Sequence, residues 1–134
     1  MEFQKLSQAA EDVRQEIVDM IPETTTLTDQ PTNISATLLE EDENGTKTYG
    51  GDLLARKIYE LISNMDIGTG WKWRLLYWSK RLELLNDRKQ GYLLPLSEKI
   101  IMSPGGALLA GFYAHITNEP ILSSGAAAIL IVPK

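Results

Sequence analysis

All three tryptophans of the chain lie within eight positions of one segment, residues 71–89, WKWRLLYWSKRLELLNDRK. On a helical wheel with about 100° per residue, one apolar stripe collects Trp71, Leu75, Trp78, Leu82 and Leu85. A second apolar cluster, well around the cylinder, consists of Trp73, Tyr77 and Leu84. Arginines recur every seven residues in the gap between the two, at Arg74, Arg81 and Arg88. The segment therefore predicts a helix with two apolar faces separated by an arginine ridge.

A protein of this size usually buries one stripe of such a helix, so the second stripe needs a cover from another segment or another molecule. Tryptophan, tyrosine and arginine are enriched among the residues that dominate protein–protein interfaces. We therefore predict an interface formed by six residues: Trp73, Arg74, Tyr77, Arg81, Leu84 and Arg88. The alternative is that residues 120–132 cover this face within the same chain, with the arginines paired to acids of the N-terminal half.

Two further segments have the apolar spacing of three and four that is typical of an amphipathic helix. The first is predicted over residues 3–21, before Pro22, and its stripe is Phe3, Leu6, Ala10, Val13, Ile17 and Met20. The second is predicted over residues 52–66, with Asp52 as N-cap, and its stripe is Leu54, Ile58, Leu61 and Met65. A weaker helical segment is expected over 105–116, because Ser103 and Pro104 resemble a cap and a first helical residue.

Two parts of the chain favour strands. Residues 34–50 surround Asn44 and Gly45, a pair that favours the tight turn of a β-hairpin. The apolar C-terminal stretch, AAAILIV, is expected to be a fully buried strand or an apolar tail docked on a partner. The predicted fold is therefore mainly α within a single domain, 1–134, with a possible hairpin and a C-terminal strand or tail. An α+β fold is the fallback.

The charge is distributed unevenly along the chain, whose net charge is −5. Residues 1–66 contain 5 basic and 14 acidic residues, a balance of −9, whereas residues 67–134 contain 8 and 4, a balance of +4. A molecule with oppositely charged ends can associate head to tail into a ring or a filament.

These features lead to three hypotheses of function. The first is a non-enzymatic subunit of a protein assembly, such as a virus-particle or filament component. The alternative is a small acidic inhibitor or immunity-type protein that binds a basic partner. The third is nucleic-acid association through Arg74, Arg81 and Arg88, which the acidic pI of about 4.9 disfavours.

The sequence contains no motif for catalysis, a cofactor or a metal. It has no cysteine and a single histidine, His115, which leaves too few ligands for a typical zinc site. An acidic stretch that begins at Glu40 resembles a calcium loop, but Gly51 stands where the bidentate glutamate is required. The glycines that follow Ser103 and Pro104 lack a lysine at phosphate-loop spacing. We therefore expect a protein that is not an enzyme and carries no cofactor.

The cellular location of the protein is predicted from two kinds of segment that the sequence lacks. The first twenty residues lack the apolar block of a secretory signal peptide, and no apolar run approaches the roughly 20 residues that span a bilayer. A cytoplasmic or virion location is therefore expected, with no membrane span and no secretion through a signal peptide.

Overall fold

The part of the chain that the structure describes is mostly β, with 44% of these residues in strands and 22% helical. A computed structural model describes residues 3–24, 36–68, 70–84, 86 and 89–133. These residues form two helices and two antiparallel sheets, of seven and four strands. The prediction of a mainly α, helical protein is therefore wrong. Within the described ranges, neither helix combines the length and apolar character needed to cross a membrane.

The order of elements along the chain is β1 (Phe3–Lys5), α1 (Gln8–Val18), β2 (Thr37–Glu41), β3 (Lys47–Gly50), α2 (Asp52–Met65), β4 (Trp71–Trp78), β5 (Leu82–Glu83), β6 (Gly91–Pro95), β7 (Lys99–Ser103), β8 (Gly106–Leu109), β9 (Phe112–Ile116), β10 (Ile121–Leu122) and β11 (Ala126–Pro133). The seven-stranded main sheet has the order β1-β9-β6-β11-β4-β3-β2, and the four-stranded small sheet has the order β5-β10-β7-β8. Two cores separate three layers: the helices pack on one face of the main sheet, the helix face, and the small sheet packs on the other, the inner face.

Strand β11 is buried on both faces at the middle of the main sheet. Its side chains alternate, because successive residues of a strand point to opposite faces. Ala127, Ile129 and Ile131 join the core under the helices. The residues that join the core under the small sheet are Ala126, Ala128 and Leu130. The prediction of a fully buried C-terminal strand is confirmed, and the strand pairs with β4 and β6 of its own chain.

The predicted helix over 71–89 is wrong. Residues 71–78 form strand β4, which pairs along its whole length with β11, and residues 82–83 form the short strand β5. In β4 the side chains of Trp71, Trp73, Leu75 and Tyr77 point to the helix face, and those of Leu76 and Trp78 to the inner face. The stretch WKWRLLYW is rich in aromatic residues, which favour strands, and pairing with β11 satisfies its backbone hydrogen bonds.

The predicted helix over 3–21 forms only in its middle. Residues 3–5 are strand β1, in which Phe3 pairs with Ala114. Helix α1 then begins after Ser7, whose hydroxyl oxygen accepts a hydrogen bond from the backbone N–H of Ala10 at 3.2 Å. Helix α1 ends at Val18, and its buried face includes residues of the predicted stripe. The helical spacing was therefore correct over 8–18, but a strand pairing takes the first residues.

The helix predicted over 52–66 is confirmed as α2, but its N-cap is Gly51, and the predicted cap Asp52 is the first helical residue. The hairpin is confirmed as the antiparallel pair β2–β3, although residues 34 and 35 of its predicted range lie outside the described residues. The helical segment expected over 105–116 is wrong, because this stretch forms β8 and β9. Its first residues cannot be helical, since Gly105 and Gly106 have φ angles of 136° and 98°.

The double burial of β11 makes its large side chains sensitive to truncation. Ile129 is fully buried, and Ile129→Ala is expected to lower the free energy of unfolding by about 2–5 kcal/mol, measured by urea denaturation. Ile101, on the outer face of the small sheet, is 42% exposed. The matched control Ile101→Ala is expected to lower the free energy of unfolding by about 1 kcal/mol or less. Equal losses for the two variants would contradict the central position of β11.

Candidate functional site

The residues predicted to form an interface are dispersed by the β structure. Trp73 and Tyr77 are half-buried against the core under the helices, whereas Leu84 is 2% exposed and belongs to the core under the small sheet. Arg74 and Arg81 are exposed. Arg88 lies outside the described residues.

The two-faced helix on which that interface was based does not exist. Its excess apolar surface therefore no longer supports a contact at Trp73, Tyr77 or Leu84. Arg74 and Arg81, the two described arginines of the predicted ridge, do not lie on a helix. Whether any of the six residues contacts another macromolecule stays a prediction.

A different surface is open to solvent, at one edge of the main sheet. Strand β2 is the last strand in the sheet order, and all five of its residues are exposed. Leu38 is 47% and Leu39 63% exposed, so apolar side chains face solvent beside the acidic Glu40 and Glu41. We name this strand, Thr37–Glu41, the β2 edge.

The tight turn of the hairpin holds the β2 edge in position. One carboxylate oxygen of Asp42 accepts hydrogen bonds from the backbone N–H groups of Asn44 and Thr46, at 2.9 and 3.0 Å. Gly45 supplies the positive φ of 81° that the turn needs. Asp42 belongs to the acidic stretch that resembles a calcium loop, and in the structure its carboxylate closes the hairpin turn. Among the described residues, no group of three His, Cys, Asp or Glu could hold a metal ion.

A glycine lets the β2 edge lie close to its neighbour. A Cβ atom on Gly50 would stand only 2.5 Å from Cδ1 of Leu39, so the leucine occupies the space that a side chain would fill. The ladder between β2 and β3 shifts register between Leu38 and Glu40, which marks a β-bulge. A bulge increases the local twist of a strand and changes the direction of its side chains.

A half-buried polar cluster anchors β3 and hence the hairpin. The hydroxyl of Tyr49 donates to the carboxylate of Glu23, with oxygen distances of 2.7 and 2.9 Å, and Nζ of Lys47 donates to the same carboxylate at 2.9 Å. The ammonium of Lys47 also lies 5.8 Å from the ring centroid of Tyr77. These contacts tie the chain just after α1 to the strand that supports the β2 edge.

The cluster changes the proton affinities of its members. Burial of Glu23 opposes ionisation, but the hydrogen bonds from Tyr49 and Lys47 outweigh burial and lower the pKa of Glu23. Burial, together with the hydrogen bond to the Glu23 carboxylate, raises the pKa of Tyr49. The hydrogen bond to Glu23 raises the pKa of Lys47. The cluster therefore favours an ionised Glu23 between a neutral Tyr49 and a charged Lys47.

Next to the hairpin, a groove of about 350 Å³ opens on the inner face of the main sheet. Its walls come from the hairpin, β4 and the β5 region: Glu40, Asp42, Thr46, Thr48, Arg74, Leu76, Leu82, Glu83 and Leu84. Of the six predicted interface residues, the groove brings together Arg74 and Leu84. Its carboxylates and guanidinium are groups that form charge-assisted hydrogen bonds with a polypeptide.

Leu38 and Leu39 were missed by the sequence reasoning. The sequence signal for this surface is a pair of adjacent leucines followed directly by acids, within a predicted hairpin strand. Because side chains alternate along a strand, such a pair is expected to place one leucine on each face. The sequence pattern could not show that both faces of β2 are open.

Comparison with known proteins provides no family to which these features can be assigned. No protein-family model matches the chain, and no curated protein is significantly similar to it in sequence.

The Glu23 cluster predicts a specific pH dependence of stability. A carboxyl group whose pKa is lower in the folded than in the unfolded chain stabilises the fold above its ordinary pKa of 4.5, and this contribution is lost as the pH falls through the lowered folded pKa. Glu23→Gln is therefore expected to lower the free energy of unfolding at neutral pH by about 1 kcal/mol, the difference between a charged and a neutral hydrogen bond. Urea denaturation across this pH range measures the deficit, which should shrink in acid.

Glu16 provides the control for this prediction. Its side chain is 54% exposed and pairs with Lys57 at the surface, so Glu16→Gln should change stability by less than about 1 kcal/mol at any pH. A deficit of Glu23→Gln that is independent of pH would show that the charge of Glu23 does not stabilise the fold.

Proposed function

We propose that the protein is a non-enzymatic subunit of a protein assembly and that a neighbouring protein docks on the β2 edge. The observation that carries the proposal is that all five residues of this strand, including Leu38 and Leu39, are exposed at the edge of the main sheet. Edge strands present backbone donors and acceptors to a further strand, and natural proteins usually shield them. The β2 edge has two such shields, a bulge and acidic side chains, but it also exposes Leu38 and Leu39, and these apolar side chains favour a binding surface.

The β2 edge offers more to a partner than the other strands that end a sheet. β1 has three residues and β5 only two, so each gives a short ladder. β8 has four residues, but Leu108 is buried in the core. β2 is longer than these three strands and exposes every side chain, so a partner strand would gain a ladder and apolar contacts together.

Charge indicates the chemistry of the docking partner. Residues Glu40 to Glu43 form an unbroken run of four acids, all exposed. A partner segment with basic side chains would pair with these carboxylates, whereas an acidic segment would be repelled. The partner surface is therefore expected to combine apolar and basic residues.

A second copy of the chain has such basic residues. Among the described residues, each of five ion pairs joins two residues of the same half of the sequence: Arg14–Glu11, Lys47–Glu23, Lys57–Glu16 and Lys57–Glu60 in the first half, and Lys89–Glu119 in the second. These pairs leave the charge difference between the halves in place. The exposed basic residues within 67–134 include Lys72, Arg74, Lys80, Arg81 and Lys99. A head-to-tail contact between unlike surfaces would build a ring or a filament, of which a virus-particle component is one form.

The exposed acidic run also favours a second candidate function. A small acidic protein that binds and blocks a basic target would use the same carboxylates without self-association. The two candidates differ in the oligomeric state of the isolated chain.

A charge placed on the β2 edge tests the proposal. Leu38 and Leu109 are both 47% exposed, on β2 and on β8 of the small sheet. Leu38→Lys should weaken self-association by at least about tenfold, because the lysine must be desolvated in the contact, while Leu109→Lys should leave it unchanged. Light scattering during size-exclusion chromatography, over a range of protein concentrations, measures the effect.

Two results would count against assembly through this edge. A wild-type chain that stays a 15.0 kDa monomer at high concentration would contradict self-assembly and favour the acidic binding protein. Equal weakening by the two lysine variants would place the contact elsewhere.

A further inference from the structure

A separate pocket, distinct from the β2 edge, lies between the end of α2 and the start of β4. It has a volume of about 410 Å³, which is within the range of small-molecule sites. We name it the α2–β4 pocket, and its lining residues are Tyr59, Ile62, Ser63, Asp66, Gly68, Gly70 and Trp71.

Three polar residues at the end of α2 line the pocket. Tyr59 and Ser63 are four residues apart and share one face of the helix, and Asp66, the residue that follows the helix, lines the same pocket. Tyr59 is 54% exposed, and Asp66 is exposed. Asp66 ends the helix in the left-handed conformation, with φ 57°. A phenol ring, a hydroxyl and a carboxylate therefore face the same space.

The indole of Trp71 also lines the pocket and is held in place by two contacts. Its Nε1–H donates to the carbonyl oxygen of Ile67 at 2.9 Å. Its ring packs edge-on with that of Tyr92, with centroids 5.3 Å apart and an interplanar angle of 64°. An aromatic wall that is fixed before binding loses little conformational entropy when a ligand arrives.

The lining has the chemistry of a cation site. Among the described residues, the lining contains two aromatic side chains and one carboxylate, and it includes no lysine, arginine or histidine. Aromatic faces attract cations through the ring quadrupole, and a nearby carboxylate adds Coulombic attraction. We propose that the α2–β4 pocket binds an organic cation with a quaternary ammonium or guanidinium head group, between Tyr59 and Trp71 and beside Asp66.

Other ligand classes fit this lining less well. An anion would be repelled by Asp66 and would find no basic side chain among the lining residues. A divalent metal ion requires several oxygen ligands, and the lining provides one carboxylate. An uncharged ligand could stack on the rings but would gain nothing from the charge of Asp66.

Matched probes separate charge from shape. Choline is titrated into the full chain beside its uncharged isostere, in which carbon replaces the quaternary nitrogen, with ionic strength held constant by sodium chloride. Binding is followed by the indole N–H resonance of Trp71 in NMR spectra, assigned with a Trp71→Phe variant. Choline should shift this resonance saturably and bind at least about tenfold more tightly than the isostere.

The source of the cation is distinguished by a second pair of probes. The amide of N-acetyl-arginine represents the side chain of a partner protein, and the corresponding citrulline amide is its uncharged match. Tighter binding of the arginine amide than of choline would assign the site to a protein side chain, and the reverse to a free quaternary amine. Both results support a cation site.

Three variants test the assigned roles, with one matched control. Asp66→Asn, which keeps a residue tolerant of positive φ, should weaken cation binding at least about tenfold. Tyr59→Leu should weaken it as well, while Tyr59→Phe should retain it, because the ring face is preserved. Glu60→Gln removes a neighbouring charge of α2 that does not line the pocket, and it should leave binding unchanged.

Three outcomes would overturn the proposal. Equal binding of a cation and its uncharged match would mean a site for neutral ligands. If Asp66→Asn keeps its affinity for the cation, and its amide spectra show an intact fold, the carboxylate does not take part in binding. Absence of a saturable shift with either cation would mean that the pocket does not bind this class of ligand.

Discussion

The burial of β11 on both faces is the constraint on which the rest of the molecule depends. Alternate side chains of Ala126–Pro133 enter two separate cores, one under the helices and one under the small sheet. A strand of this kind must lie in the middle layer, because either face left open would expose a continuous row of apolar side chains to water. Three consecutive alanines at its start, 126–128, bring small side chains to both cores.

Covering both faces of the main sheet leaves its edges as the places where it can grow. The tryptophan-rich strand β4 is needed inside the sheet, as the partner of β11, and its rings brace the two cores. Trp78, for example, is 1% exposed, and its indole N–H donates to the carbonyl of Ser123 at 2.7 Å. The aromatic residues that suggested an interface thus pack against the cores, and the surface that we propose for another protein is the β2 edge. The same strand begins at the wall of the α2–β4 pocket, so β4 links the cores to a candidate ligand site.

The parts of the fold that could be predicted are those specified by local signals. Helix α2 has an apolar stripe in helical spacing, and the hairpin has the Asn-Gly pair that closes it. Segment 71–78 was different, because Trp71, Leu75 and Trp78 lie on one side of a helix while Trp71, Trp73 and Leu75 lie on one side of a strand. Pairing with β11, which is distant in sequence, decides between the two. The solvent exposure of Leu38 and Leu39 is likewise not a local property, since it depends on what lies beyond β2. The α2–β4 pocket is not local either, because Tyr59 and Asp66 line the same pocket only when Trp71 begins a strand.

Hydrogen exchange at the amides of β2 tests assembly through this edge most directly, because it reports on the backbone groups that a docking strand would use. We expect the amide hydrogens of Thr37–Glu41 to exchange fast in dilute protein and to become protected as the protein concentration and the mass of the assembly increase. Protection that appears only elsewhere while the mass increases, with β2 exchanging equally fast at every concentration, would contradict assembly through this edge.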